Sequence, residues 1–225
     1  AWGPALMKVA LLGTRGIPAS YSGFETCVEQ LGQRLVQRGH QVTVYCRSQY
    51  IDYAGDEYLG MRLVKLPTIP NKYLDTLVHT FFSSLHALGG RYDVAVYFIA
   101  GNSPVTWIPH LAGTRTILNV DGLDWKREKW PPLAKKYIQW AAYMATRLPT
   151  VCLADSRVVQ AYYREQWGAE TVYIPYGSEV SIVPPDLVDT RNRVRAGSSD
   201  SAKASTAPGS VLSSTASSRY PFAAP

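Results

Sequence analysis

A chain of 225 residues with 46% hydrophobic content is long enough for one α/β domain with a sizeable core, or a domain and a half. Its formal charge of +6 is concentrated in residues 191–225, where Arg191, Arg193, Arg195, Lys203 and Arg219 face only Asp200. The rest is nearly balanced, which removes the electrostatic case for a nucleic-acid partner. Cys27, Cys46 and Cys152 are odd in number and show neither a CxxC nor a metal spacing, so the expectation is a reduced, cytoplasmic protein without a metal site.

No apolar run approaches the roughly 18–20 residues of a membrane span. Residues 1–24 lack a basic segment followed by a long apolar core, so no signal peptide is read. Residues 1–6 read as an extension ahead of a natural start at Met7. Short runs rich in Val, Ile, Leu and Tyr then predict strands at 8–12, 41–46, 62–66, 93–99, 115–120, 150–154 and 171–174. Between them, Phe24, Val28, Leu31 and Leu35 predict a helix from near Glu25, stopped by Gly39. Leu74, Leu77, Val78, Phe81, Leu85 and Leu88 form a second stripe, stopped by Gly89 and Gly90, and residues 132–147 and 157–167 predict two more helices. This alternation predicts a doubly wound parallel sheet, a Rossmann-like α/β fold, over residues 7–185. Residues 191–225 carry nine serines and seven alanines and few large apolar groups, so residues 186–225 read as a disordered tail, or as a foreign reading frame on a truncated gene.

The stretch from Gly13 to Glu25 joins the first strand to the first helix. Backbone N–H groups and the helix dipole make such a junction a natural anion seat. It is not a dinucleotide fingerprint, since Arg15 and Pro18 stand where glycines are required. It is not a P-loop either, since Pro18-Ala19-Ser20 replaces the Gly-Lys-Ser/Thr end. Arg47, closing the second strand, could meet a 2′-phosphate only if that loop had held a dinucleotide.

Several segments together resemble the N-terminal domain of family 4 glycosyltransferases of GT-B architecture, within a bacterial rhamnosyl- or hexosyltransferase-like subgroup. They are KVALLGTRGIPASYSGFET at 8–26, QRLVQRGHQVTVYCR at 33–47, NVDGLDWKREKW at 119–130, ADSRVVQAYY at 154–163 and VYIPYGSEV at 172–180. The resemblance implies a two-domain enzyme that transfers a hexose or deoxyhexose from a nucleotide-sugar to a polysaccharide or lipid-linked acceptor. The N-terminal domain holds the acceptor, the C-terminal domain holds most of the donor, and no obligatory metal or other cofactor takes part. One departure is Ser22, where the family loop usually has glycine. A second is the pair of glutamates with seven residues between them in the family's second domain, which has no counterpart here. A second α/β set after Pro185 is also lacking, so the resemblance covers the N-terminal half only. The alternatives are a non-catalytic acceptor-binding subunit that needs a separate donor-binding chain, and a truncated gene product.

On this reading Gly13, Arg15, Gly16 and Gly23 are candidates for the donor diphosphate, the glycines serving otherwise as plain turn formers. Glu25 either supports the helix start or binds a sugar hydroxyl. Asp121, at the carboxyl end of a strand, is the candidate catalytic residue; the competing reading is an Asx-turn. Asn119 and Asp124 are its companions for acceptor or sugar contacts. Asp155 and Ser156 either line the cleft or cap the next helix. Lys126, Arg127, Lys129, Trp130, Lys135, Lys136, Trp140 and Tyr143 form a basic, aromatic stretch. It reads as a peripheral contact with the inner membrane face or as a solvated helix with Trp140 in the core. His40 reads as structural, and His79 and His86 as flanking the apolar face of their helix.

Overall fold

A computed structural model describes residues 6–20, 23–71, 74–126, 128 and 130–177. The extension before Leu6, the Ser22 departure, Arg127, Lys129 and the 178–225 tail lie outside them, as does the side chain of Asp124. Among the described residues eight strands form one sheet: β1 (Lys8–Leu12), β2 (Gln41–Arg47), β3 (Glu57–Tyr58), β4 (Met61–Leu66), β5 (Val94–Phe98), β6 (Arg115–Val120), β7 (Val151–Ala154) and β8 (Val172–Tyr173). The order is β3-β4-β2-β1-β5-β6-β7-β8. Every pairing is parallel except β3 with β4. The doubly wound, Rossmann-like class read from the sequence is what the chain forms.

Strand β3 is the addition. Leu59 and Gly60 both take positive φ, 50° and 74°, making a two-residue hairpin turn onto β4. Two residues carry too little pattern to announce a strand. The described residues also form four α-helices: α1 (Gly23–Gln37), α2 (Asp75–Ala87), α3 (Pro132–Met144) and α4 (Arg157–Trp167). Between β5 and β6 the crossover is made of 3-10 turns at Ala100–Val105 and Ile108–Ala112. Pro104 and Pro109 interrupt any longer α-helix there.

The sheet divides two cores. On one face α1 packs with Val9, Leu11, Val28, Val42, Val44, Met61 and Phe98. On the other, α2, the 3-10 turns, α3 and α4 pack on Ala10, Tyr45, Tyr97, Leu118 and Ala154. The chain reverses direction across the sheet at β1 and β5, and the crevice beyond their carboxyl ends is where open α/β sheets bind ligands.

Helix α2 overturns its predicted stripe. It buries Asp75, His79, Thr80, Ser83, Ser84 and Ala87, while Phe82 is 52% exposed and Leu74, Phe81 and Leu85 are also exposed. Polar contacts hold this inverted face to the sheet. Ser84 meets the Tyr97 hydroxyl at 2.8 Å, and His79 Nε2 meets the Cys46 carbonyl at 3.1 Å. His79 therefore sits under the helix rather than at its flank. His40 is structural, its ring Nδ1 accepting from the Met7 N–H at 3.2 Å.

Candidate functional site at the carboxyl edge of the sheet

The crevice begins at Gly13. Its φ is +99°, and a Cβ there would stand 2.7 Å from the Phe98 carbonyl oxygen. Only glycine lets the ends of β1 and β5 approach so closely. Asn102, fully buried, ties the junction by donating Nδ2 to the Phe98 carbonyl at 2.8 Å. Its Oδ1 has no partner among the described residues. Next to it Ile99 holds φ +72°, a strained conformation for a β-branched residue.

The loop after β1 folds inward. Gly16 has φ +115°, and a Cβ on it would lie 2.5 Å from Cys46 Sγ. Gly13, Thr14, Gly16 and Ile17 are all buried. Carboxylates of α1 already take two of the loop's N–H groups. Arg15 N–H donates to Glu25 Oε1 at 3.1 Å, and Ala19 N–H donates to Glu29 Oε2 at 2.8 Å. Buried Glu25 thus braces the loop. The Arg15 guanidinium lies 4.6 Å from the centre of the Tyr50 ring. Gly23 opens α1, exposed, with open space where a side chain would stand. Of the three loop glycines it alone presents a helix N-terminus outward.

Arg47 is not a phosphate ligand. It is buried and pairs with Asp75 at 2.7 Å, while its other terminal nitrogen donates to Thr76 at 3.0 Å. Tyr50 donates to the second Asp75 oxygen at 2.9 Å. Burial, then the nearby Arg47 charge, pushes His79 down to about 4, so it is a neutral part of this network.

The other polar corner lies at the ends of β6, β7 and β8. Asn119 pairs in register with Leu153 and with Phe98. It donates Nδ2 to the Tyr176 hydroxyl at 2.6 Å. Tyr176 in turn packs edge-on against Phe24, with ring centroids 6.5 Å apart, so the chain after β8 touches the start of α1. Burial raises the Tyr176 pKa, and the charges of Cys27, Asp121 and Asp155 raise it further against the opposing Asn119 hydrogen bond. The phenol is neutral, and Asp121 and Asp155 are close enough to act on it. Ser156, not Asp155, caps α4, its hydroxyl accepting from Val158 N–H at 3.2 Å. Asp124 lies in a short 3-10 turn after β6.

Sequence reasoning named Asn119, Asp121 and Asp155 but missed Tyr176 and Asn102. The signal for Tyr176 was its place just past a strand on the register that carries Val172. On α3, Trp140 is 50% and Leu133 81% exposed, so Trp140 is no core residue. Among the described residues no set of three His, Cys, Asp or Glu side chains is arranged to hold a metal ion. No helix among them is long and apolar enough to cross a membrane.

Residues 6–179 match the sequence profile of a family described as a domain of unknown function (DUF1972). No curated protein matches the chain. Among solved structures it is similar to Anabaena HepE in complex with UDP and glucose, at 18% identity and a TM-score of 0.57, covering 84% of this chain and 50% of that one. It is similar to Phytolacca americana UGT2 complexed with UDP-2fluoro-glucose and pterostilbene, at 11% identity and 0.53, covering 84% and 57%. A Thermosynechococcus elongatus sucrose-phosphate synthase chain is covered to 99% by 84% of this one, at 17% identity and 0.52. The shared property is the GT-B type of Rossmann-like fold. The chain spans about half the length of HepE.

Proposed function

This chain belongs to the DUF1972 family, and we propose that it is the acceptor-side half of a family 4-type glycosyltransferase. It moves a hexose or deoxyhexose from a nucleotide-sugar to a polysaccharide or lipid-linked acceptor. The observation that carries the reading is the polar carboxyl edge, with Asn119, Asp121, Asp155 and Tyr176 gathered beside the crevice at β1 and β5. The glycosyltransferase fold supports it, as do the UDP and sugar bound in HepE. In the reaction the bond from the sugar's anomeric carbon to the diphosphate breaks. A bond from that carbon to an acceptor oxygen forms, the acceptor's proton leaves, and the nucleoside diphosphate departs. Asp121 stabilises the positive charge that develops on the sugar or holds one of its hydroxyls. Gly23, at the exposed start of α1, offers backbone N–H to the diphosphate, and Arg15 of the same loop supplies positive charge. Gly13 and Gly16 support that seat by letting the loop pack. Most donor contacts come from a second, donor-binding half, in the same protein or in a separate chain. No cofactor is required.

The work is done in the cytoplasm at the inner membrane face. Support comes from the helical layer, where α2 exposes Phe81, Phe82 and Leu85, and α3 exposes Leu133 and Trp140 near Lys135 and Lys136. This mixture suits an anionic interface. Flotation with anionic vesicles at low salt checks it, and absence of binding removes the membrane contact.

The test of function is transfer of labelled sugar from a panel of nucleoside-diphosphate hexoses and deoxyhexoses, by the chain joined to or mixed with a donor-binding half. Transfer is expected, unchanged by chelator. Asp121→Ala is expected to lower it at least about a hundredfold without unfolding the chain. Full activity of that variant removes Asp121 from the site, and absence of transfer across the panel contradicts the reading.

A further inference from the structure

The corner formed by β6, β7 and the chain after β8 holds polar atoms for which the fold has no use. Asn119 is 4% exposed. One end of its carboxamide is held by Tyr176, while Oδ1 has no partner among the described residues. Asp155 Oδ1 is likewise buried and without a partner among them. Capping does not claim Asp155, since Ser156 does that work. Two acceptors so placed are costly in an empty site and call for a ligand that donates.

The surroundings narrow its chemistry. A phosphate is an anion that chiefly accepts, and it would face the carboxylates of Asp121 and Asp155. A hard cation gathers several ligating groups, and among the described residues no set of three His, Cys, Asp or Glu side chains is arranged for one. A hydroxyl donates to a carboxylate, and it satisfies the free end of a carboxamide whichever atom stands there. Tyr176, whose hydroxyl meets Asn119, is 44% exposed and edge-on to Phe24, and its ring offers an apolar surface for the C–H face of a sugar ring. We infer that Asn119, Asp155 and Tyr176 form a subsite for adjacent hydroxyls of a neutral hexopyranose. Asn119 and Asp155 receive them, and Tyr176 is the positioning residue that fixes the Asn119 carboxamide. This rests on the proposed function only in making that sugar part of a transfer reaction. The binding itself needs no nucleotide.

The test is calorimetric titration of the full chain with methyl mannoside, glucoside, galactoside and rhamnoside at millimolar concentration. Pyrophosphate serves as the anionic probe and UDP-glucose as the donor probe. At least one glycoside is expected to bind, and pyrophosphate is expected not to displace it. Asn119→Ala and Asp155→Asn each weaken that glycoside about tenfold or more, and Tyr176→Phe weakens it several-fold with unchanged thermal midpoint. Removing the contacted hydroxyl from the glycoside costs the wild type about tenfold and costs the matching variant little, a pairing that a structural role alone does not produce. Displacement of the glycoside by UDP-glucose marks the hydroxyls as the donor sugar's, and simultaneous binding marks them as the acceptor's; both support the subsite. Equal affinity in wild type, Asp155→Asn and Tyr176→Phe overturns it, as does absence of glycoside binding at tens of millimolar. Failure of sugar transfer with glycoside binding intact defeats the proposed function and leaves the subsite standing.

Discussion

Two polar corners sit at the carboxyl edge of this sheet, and they are built on opposite terms. Beyond β2, Arg47, Asp75, Thr76 and Tyr50 hydrogen-bond one another and His79 meets the Cys46 carbonyl; of their buried polar atoms only Arg47 Nε goes without a partner among the described residues. Beyond β6 and β7, Asn119 and Asp155 each keep a buried oxygen unmatched. The first corner fastens the inverted helix α2 to the sheet, so its polarity is spent on the fold. The second retains hydrogen-bonding capacity that folding does not consume, and that surplus marks a binding surface. Substitutions should therefore separate the two corners by what they damage.

The largest effect belongs to the closed corner. Asp75→Ala leaves the Arg47 charge buried and unpaired, and should lower unfolding free energy by about 3–5 kcal/mol in urea denaturation. Next is pH. His79 is held from 6.5 down to about 4 in the fold, so above pH 6.5 it is neutral in both states and contributes nothing. As pH falls from 6.5 towards 4 the unfolded chain takes up a proton that the fold refuses. Stability should drop by on the order of 3 kcal/mol across that window, and His79→Gln should flatten this part of the profile. Gly16→Ala, which sets a Cβ against Cys46 at positive φ, should cost about 2 kcal/mol, read as a lower thermal midpoint. The smallest stability effect belongs to the open corner. Asp155→Asn should stay within about 0.5 kcal/mol of wild type, because Asp155 supports nothing else.

The alternation of strands and helices was legible because each central strand is a short apolar run and each helix ends at a glycine or a turn. Helix α4 was read to the residue, at Arg157–Trp167. Helix α2 was misread because periodicity reports which residues share a face, not which face meets the sheet. Ser83, Ser84 and His79 look like solvent-facing residues until Tyr97 and the Cys46 carbonyl supply their partners. The loop from Gly13 to Gly23 was located by its glycines, but the division of labour among them was not. Gly13 and Gly16 answer to close approaches by Phe98 and Cys46, residues distant in sequence. Asp121 and Asn119 were legible as candidates because strand ends are where ligand sites collect. Tyr176, also just past a strand, was passed over, since its partnership with Asn119 spans 57 positions.

The contrast between the corners is tested most directly by measuring urea stability and methyl hexoside affinity on the same two variants, Asp75→Asn and Asp155→Asn. A crossed result is expected: Asp75→Asn loses stability and keeps the affinity of the folded chain, while Asp155→Asn keeps its stability and loses the glycoside. An Asp155→Asn variant that unfolds more easily yet binds the glycoside as wild type does would contradict it.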